Sequence, residues 1–333
     1  MSMKKAIVLL GPTGVGKTAV SILLAKIRQS EIISADSMQI YKYMDIGTAK
    51  PSFEERQTVK HHMIDAAEPW QSYSAGEYID NVEPLIQNLH KSQKIPIIVG
   101  GTGLYIRAMT RGMFKGPSAD WDLRNELIQK EESGEVSLYD YLRQLDPVAT
   151  SKIMPTDTRR IIRALEVCLK SKNTMTELQQ SFTQPLPYEF IKIGLTRDRK
   201  ELCEMIQERV DKMIAKGLVD EVERVFRMIE RHSKISPSQV FSNSHPLSLC
   251  PLPSLQAIGY KEIAKHLYGG ISLEEAIRLI KKRSKAYAKR QITWFKKEAG
   301  ILWLDSTGSH DPHEIVQRVM PIIERQDDLP TTF

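Results

Sequence analysis

The stretch Gly11-Pro-Thr-Gly-Val-Gly-Lys-Thr18 fits the phosphate-cradling pattern G-x-x-x-x-G-K-[ST] at every fixed position. It constrains the fold more than any other part of the chain, because the pattern works only between a strand and a helix. Both flanks are legible. Lys5-Ala-Ile-Val-Leu-Leu10 is a short apolar run that reads as a buried strand, and residues 19–26 carry apolar spacing that suits a helix. The glycines let backbone N–H groups turn inward around phosphate oxygens, and the helix N-terminus adds positive potential. In such a loop Lys17 reaches the terminal phosphate and the Thr18 hydroxyl ligates Mg²⁺. The expectation is an α/β fold, a P-loop NTPase-like parallel sheet core. Gly11, Pro12, Thr13, Gly14, Val15, Gly16, Lys17 and Thr18 would surround a polyphosphate or diphosphate. A glycine-rich turn that binds nothing is the alternative, and the strand and helix beside it argue against that. The loop does not say which group is transferred.

Further along, Glu31-Ile-Ile-Ser-Ala35 reads as a second strand, and Asp36 follows it. Ligands of open α/β sheets gather beyond the C-terminal ends of the strands, so Asp36 should face whatever the loop holds. A helix cap or turn is the other reading of a lone aspartate. His61 and His62 are adjacent and so point apart, which suits capping or core hydrogen bonds better than a metal. A helix to about Leu89 should be capped by Ser74. Ile95-Pro-Ile-Ile-Val99 is the next strand, and it runs into Gly100-Gly-Thr-Gly-Leu-Tyr105. An ATP-hydrolysing protein usually places a carboxylate there to hold Mg²⁺ or its waters. The glycines and Thr102 therefore argue against a motor.

From about Met113 the strand-like runs stop. Helical patterns cover 122–132, 137–145 and 158–171, broken at Asp146-Pro147 and Met154-Pro155. The expected division is a core over 1–112, a helical insertion domain over 113–189, and a second part of the core over 190–325. Arg160 and Arg163 share a helix face while Arg159 lies to the side; these fit either a solvated face or an anion or RNA contact. After a strand at 190–195, a long helix over 199–231 is interrupted at Gly217. Arg209 lies within it, among Met205, Ile206 and Met213, and reads as a surface salt-bridge partner or as part of a phosphate clamp. Residues 232–254 hold seven serines and four prolines and read as a long loop or partly disordered segment. A helix over 273–298 then puts Arg278, Lys281, Lys282, Lys285, Lys289 and Lys296 on one arc. Ile277, Ile280, Tyr287, Trp294 and Phe295 fall on another, with no acidic residue between Ala276 and Lys297. A solvated lysine face is possible, but the missing counter-charge favours a polyanion partner. A strand at 301–304, a helix at 312–324 and a frayed tail over 326–333 complete the reading.

The chain has 333 residues, a formal charge of +6 and a pI of about 9.0, so where the basic residues lie matters more than their sum. Cys168, Cys203 and Cys250 are far apart and form no metal-binding or disulfide pattern. A reduced, cytoplasmic setting with no membrane association is expected.

Taken in order, seven stretches resemble the tRNA dimethylallyltransferase (tRNA isopentenyltransferase) family of bacterial type. They are Gly11–Thr18, Asp36-Ser-Met-Gln39, Gly47-Thr-Ala-Lys-Pro51, Val99–Tyr105, Arg160–Val167, Gln256-Ala-Ile-Gly-Tyr-Lys-Glu262 and Tyr287-Ala-Lys-Arg-Gln-Ile-Thr-Trp294. The resemblance implies transfer of a dimethylallyl group from dimethylallyl diphosphate to N6 of the adenine on the 3′ side of the anticodon. The insertion would help grip the anticodon stem-loop of tRNA, and the chain would act as a monomer. Asp36, Thr13 and Arg209 would be catalytic: Asp36 takes the amine proton, the Thr13 hydroxyl meets the bridging oxygen, and Arg209 joins Lys17 and Mg²⁺ on the leaving diphosphate. Asp36, Ser37, Met38, Gln39, Thr102, Arg124, Arg159, Arg160 and Arg163 would contact tRNA. So would Gln256, Ala257, Ile258, Gly259, Tyr260 and Lys261, with Lys285, Lys289 and Arg290. Two departures stand out. The segment 232–254 is longer than the family pattern, and Met205 stands where an arginine is expected. A small-molecule kinase with Asp36 as its base, or a non-catalytic RNA-binding protein, could use the same loop.

Overall fold

The computed structural model describes residues 3–181, 183–233, 235–242 and 252–328. It divides into two compact units, Met1–Arg107 with Pro187–Phe333, and Ala108–Leu186. The first unit is built on a parallel sheet of six strands. These are β1 (Lys5–Leu10), β2 (Ile32–Ala35), β3 (His61–His62), β4 (Ile97–Gly100), β5 (Glu189–Thr196) and β6 (Ile301–Asp305). Their order is β3-β2-β4-β1-β5-β6. The helices around the sheet are α1 (Lys17–Ile27), α2 (Phe53–Thr58), α3 (Ala75–Lys91) and α4 (Gly103–Arg111). α4 continues into the second unit, which holds α5 (Trp121–Glu132), α6 (Leu138–Leu145), α7 (Pro147–Thr150), α8 (Thr158–Lys170) and α9 (Met175–Ser181). The chain then returns through α10 (Arg199–Ala215), α11 (Leu218–His232), α12 (Pro237–Ser242), α13 (Tyr260–Leu267), α14 (Leu273–Phe295) and α15 (Pro312–Asp328).

The central strand β1 is apolar along its whole length because both its faces are covered. Ala6, Ile7, Val8, Leu9 and Leu10 are all fully buried. Ile7 and Leu9 belong to a core with Val20 and Leu24 of α1, Leu202 and Ile206 of α10, and Val316, Val319 and Ile323 of α15. Parallel register sets Leu10 beside Gly100 and Ala35 beside Gly100. The phosphate loop, Asp36 and Thr102 therefore leave three adjacent strands at one edge of the sheet. Strand β4 ends in glycine for a steric reason: a β-carbon on Gly100 would lie 2.1 Å from the Ala35 carbonyl oxygen.

Local signals set several boundaries. Ser74 caps α3 through a reciprocal pair with Glu77, as its position predicts. Gly217, left-handed at φ 90°, separates α10 from α11, at the interruption expected in that long helix. The 232–254 segment is only partly a loop, since α12 and a 3₁₀ turn over Pro253–Gln256 lie in it. Residues 243–251, Cys250 among them, fall outside the described residues, as do 329–333 of the expected tail. The remainder of that tail continues α15.

Within Ala108–Leu186 the organising group is Glu166, which is fully buried. Arg124 meets it with Nε at 2.8 Å and Nη2 at 2.7 Å, the Asp120 backbone N–H donates at 2.6 Å, and Arg163 completes the set. Burial works against ionisation of Glu166, but these donors outweigh it and hold the carboxyl below its ordinary range. Arg124 also lies 4.7 Å from the Trp121 ring centroid, and Arg163 donates to the Pro117 carbonyl at 3.0 Å.

Candidate active site

The site grows from the turn after β1. Gly11, Gly14 and Gly16 all have positive φ, at 150°, 84° and 97°. At Gly11 a side chain is excluded twice, by that backbone and by the Leu195 carbonyl oxygen, 2.6 Å from where a β-carbon would stand. Gly16 caps α1, whose first residues are Lys17 and Thr18. Lys17 folds back over the loop and donates to the carbonyls of Gly11 at 2.9 Å and Pro12 at 2.7 Å. The Thr18 hydroxyl has no partner among the described residues.

Three charged groups converge here. Desolvation, then the positive charge of Arg209, pushes the Lys17 ammonium down to about 7, while Asp36 opposes the shift. Desolvation likewise lowers Arg209, again against the pull of Asp36. Of the two readings of Arg209, the surface salt bridge is not what the fold provides: among the described residues it has no ion pair, and its charge couples to those of Lys17 and Asp36. Two cations held close in poorly solvated surroundings without a matching pair of anions make a site that favours a polyanionic ligand.

Asp36 serves two purposes at once. Its Oδ1 accepts from the Met38 N–H at 2.9 Å and the Gln39 N–H at 3.4 Å, which is the turn role. That turn fixes the carboxylate and leaves Oδ2 without a donor among the described residues. Thr102 braces the same corner: its Oγ1 accepts from the Ser37 N–H at 2.9 Å, and its own N–H donates to the Ala35 carbonyl at 3.1 Å.

Of the residues that hold this corner from behind, sequence reasoning named Gln39 and Tyr260 only as RNA contacts and did not single out Glu221. Glu221 of α11, 1% exposed, accepts from the backbone N–H groups of Asp45, Ile46 and Gly47 at 2.8–2.9 Å, and from the Tyr260 hydroxyl at 2.6 Å. Lys50 ties Asp45 and Asp65 together at 2.8 Å and 2.6 Å. The Gln39 amide donates to the Thr48 and Ala49 carbonyls at 3.3 Å and 3.2 Å. Four of the six left-handed non-glycine residues of the described chain, Tyr43, Ala49, Met63 and Asp65, lie in this stretch. Such backbone persists only where its surroundings over-determine it. Gln291 of α14 is buried and joins the phosphate loop to the β4–α4 turn. Tyr287, read from sequence as part of an apolar arc, has its hydroxyl beside Thr102 and Gln291 and feels the charge of Asp36.

The expected RNA-contacting residues divide. Ser37, Met38 and Thr102 stand beside Asp36, half-buried. In the turn over 256–261, Gln256, Ile258 and Lys261 are half-buried, whereas Ala257, Gly259 and Tyr260 are buried. Tyr260, fully enclosed with its phenol on Glu221, supports the turn from beneath and does not line a surface path. Arg124 and Arg163 are committed to Glu166, while Arg159 and Arg160 are exposed. On α14 the stretch between Ala276 and Lys297 has no acid of its own, yet counter-charges reach the arc from the helix's first turn and from other elements. Glu275 takes Arg278 at 2.6 Å, Asp211 takes Lys281 at 2.6 Å, and Glu262 takes Arg283. Lys282, Lys285, Lys289 and Lys296 have no ion pair among the described residues, and Arg290 lies 5.7 Å from the Tyr287 ring centroid. The histidine pair behaves as expected, with His61 on the Val59 carbonyl and His62 on Glu31.

The parallel sheet and the glycine loop between β1 and α1 define a P-loop protein. The family model described as IPP transferase matches residues 39–298. The tRNA dimethylallyltransferase of Thermodesulfovibrio yellowstonii is 55% identical over 316 residues, covering 95% of this chain and 96% of its own. That of Carboxydothermus hydrogenoformans is 44% identical over 320 residues, covering 95% and 96%. Among solved structures, the full-length tRNA isopentenylpyrophosphate transferase of Bacillus halodurans has a TM-score of 0.67 at 38% identity and covers 98% of each chain. A eukaryotic dimethylallyltransferase acting on tRNA reaches 0.75 at 28% identity, covering 97% of this chain and 80% of that one. This chain belongs to the IPP transferase family.

Proposed function

We propose that this protein transfers a dimethylallyl group from dimethylallyl diphosphate to N6 of the adenine 3′-adjacent to the anticodon of tRNA, releasing diphosphate. The observation that carries the reading is the convergence of Lys17, Arg209 and Asp36 at one loop. The loop holds diphosphate as a leaving group. Lys17 and Arg209 stabilise the charge that builds up as the allylic C–O bond breaks, and the Thr13 hydroxyl meets the bridging oxygen. The adenine leaves its stack to reach the site, and Oδ2 of Asp36 accepts the N6 proton as the C–N bond forms. Mg²⁺ fits the donors present. The Thr18 hydroxyl is unclaimed, and no group of three His, Cys, Asp or Glu side chains among the described residues forms a cage. Magnesium commonly takes most of its ligands from substrate phosphates and water, so Thr18 would hold it together with diphosphate, and it would supply charge neutralisation there. No described helix is long and apolar enough to cross a membrane. A cytoplasmic monomer fits a tRNA-modifying enzyme.

Dimethylallyl diphosphate with Mg²⁺ should add one dimethylallyl unit to an anticodon stem-loop, read by mass spectrometry, while ATP is not turned over. RNA-stimulated ATP hydrolysis would overturn this in favour of a motor or kinase.

The cations of α14 that lack ion pairs make the RNA grip testable. Changing Lys285 and Lys289 together to Ala should weaken tRNA binding. It should also flatten the plot of log affinity against log salt by about 0.7–0.9 for each phosphate no longer neutralised. Dimethylallyl diphosphate affinity should not change. Equal slopes for variant and wild type would reduce the arc to a solvated face.

A further inference from the structure

Gln291 sits on α14, on the side of the helix opposite Lys285 and Lys289, and is 6% exposed. Its Oε1 accepts from the Thr13 N–H at 2.8 Å, and its Nε2 donates to the Gly101 carbonyl at 2.9 Å. One side chain thus bridges the phosphate loop to the turn that carries Thr102. The turn is shaped to admit it. A β-carbon on Gly101 would lie 2.3 Å from Nε2 of Gln291, and one on Gly103 would lie 2.3 Å from the Trp294 ring. The Tyr287 hydroxyl lies beside both Gln291 and Thr102. The Thr13 N–H therefore points to the protein and not to a ligand, which leaves the amides further along the loop for phosphate oxygens.

We propose that Gln291 is a positioning residue for prenyl transfer, acting through Thr13. This rests on the function proposed above. By pinning the Thr13 backbone, Gln291 fixes where the Thr13 hydroxyl stands relative to the bridging oxygen of the diphosphate. By holding Gly101, it keeps that loop in register with Thr102 and, through Ser37, with Asp36. An apolar residue of the same length would fill the space but release both hydrogen-bonding groups. The Thr13 hydroxyl would then no longer be held at its point of action, and misplacement of about 1 Å can cost on the order of 10²-fold in rate.

The test is a double-mutant cycle in single-turnover prenylation of an anticodon stem-loop, with wild-type turnover first establishing the reaction itself. Gln291→Met should lower the single-turnover rate about 10- to 100-fold, with tRNA affinity and the concentration dependence on dimethylallyl diphosphate changed less than threefold. Thr13→Val removes the hydroxyl at constant shape. Because the two residues act as one unit, Gln291→Met introduced into Thr13→Val should cost less than about threefold more. If it costs the same factor in both backgrounds, Gln291 is an independent strut and the proposal fails. Gln291→Glu keeps an acceptor for the Thr13 N–H, but it loses the donor to Gly101 and sets a carboxylate oxygen against that carbonyl. It carries the cycle if the methionine variant does not fold. Absence of turnover by the wild type would count against the function, not against this residue.

Discussion

Asp36→Asn should slow the chemical step by about 10²-fold or more while leaving dimethylallyl diphosphate binding nearly intact. The exocyclic amine of adenine is a weak nucleophile because its lone pair is delocalised into the ring. Bond formation therefore needs an acceptor for the proton, and a positioned general base contributes roughly 10²–10⁴-fold. The structure supplies the positioning. Oδ1 is anchored by the Met38 and Gln39 N–H groups, and Thr102 braces the adjoining Ser37. Asparagine keeps the side-chain oxygen that makes the turn, so the corner should survive while the acceptor is lost. In the proposed reading the diphosphate contacts come from other residues, Lys17 and Arg209, so affinity for the donor should move little. Single-turnover kinetics with enzyme in excess separates chemistry from product release. A rate within a few-fold of wild type would leave Asp36 as a turn residue only.

Arg209→Gln should cost a comparable 10²–10³-fold in rate, the scale seen when one preorganised donor to a developing negative charge is removed. It should also change the proton balance of binding. Lys17 is held at about 7, by desolvation first and by Arg209 next. In the free enzyme Lys17 is therefore charged below pH 7 and loses its proton above it, whereas bound diphosphate favours the charged form. The Lys17 share of inorganic diphosphate binding should then be proton uptake between about pH 7 and the ordinary lysine range and none well below pH 7, superimposed on the ligand's own protons, which are common to wild type and variant. Calorimetry in buffers of different ionisation enthalpy reads this directly. Removing the Arg209 charge should raise the Lys17 pKa and move the onset of uptake to higher pH. An onset unchanged by Arg209→Gln would mean that the two cations do not share one site.

What the sequence disclosed depends on the range of the forces involved. The phosphate loop, the Ser74 cap and the break at Gly217 are set by backbone geometry within a few residues, so their letters are diagnostic. The face of Asp36 followed from strand order alone. The roles of Glu166, Glu221 and Gln291 were not legible, because each closes contacts across 42 or more residues and nothing local marks a glutamate as buried. The same limit explains α14. Its own residues suggested an unopposed basic arc, but Asp211 comes from another helix and lies 70 positions away. Arg163 was read as a solvated or RNA-contacting cation, and Arg124 was named as an RNA contact, for a similar reason. The carboxylate that claims both lies beneath them in the fold. Short elements such as α7 and β3 are held by tertiary contacts and leave too few residues to show a period.

The most direct test of the central claim is the identity of the modified nucleoside. An anticodon stem-loop treated with the enzyme, dimethylallyl diphosphate and Mg²⁺ should be digested to nucleosides and analysed by mass spectrometry, with partial nuclease digestion to locate the change. One dimethylallyl group on N6 of the adenine 3′-adjacent to the anticodon, with one equivalent of diphosphate released, is the expected result. Unmodified RNA, with phosphoryl transfer to any acceptor when ATP replaces dimethylallyl diphosphate, would contradict it.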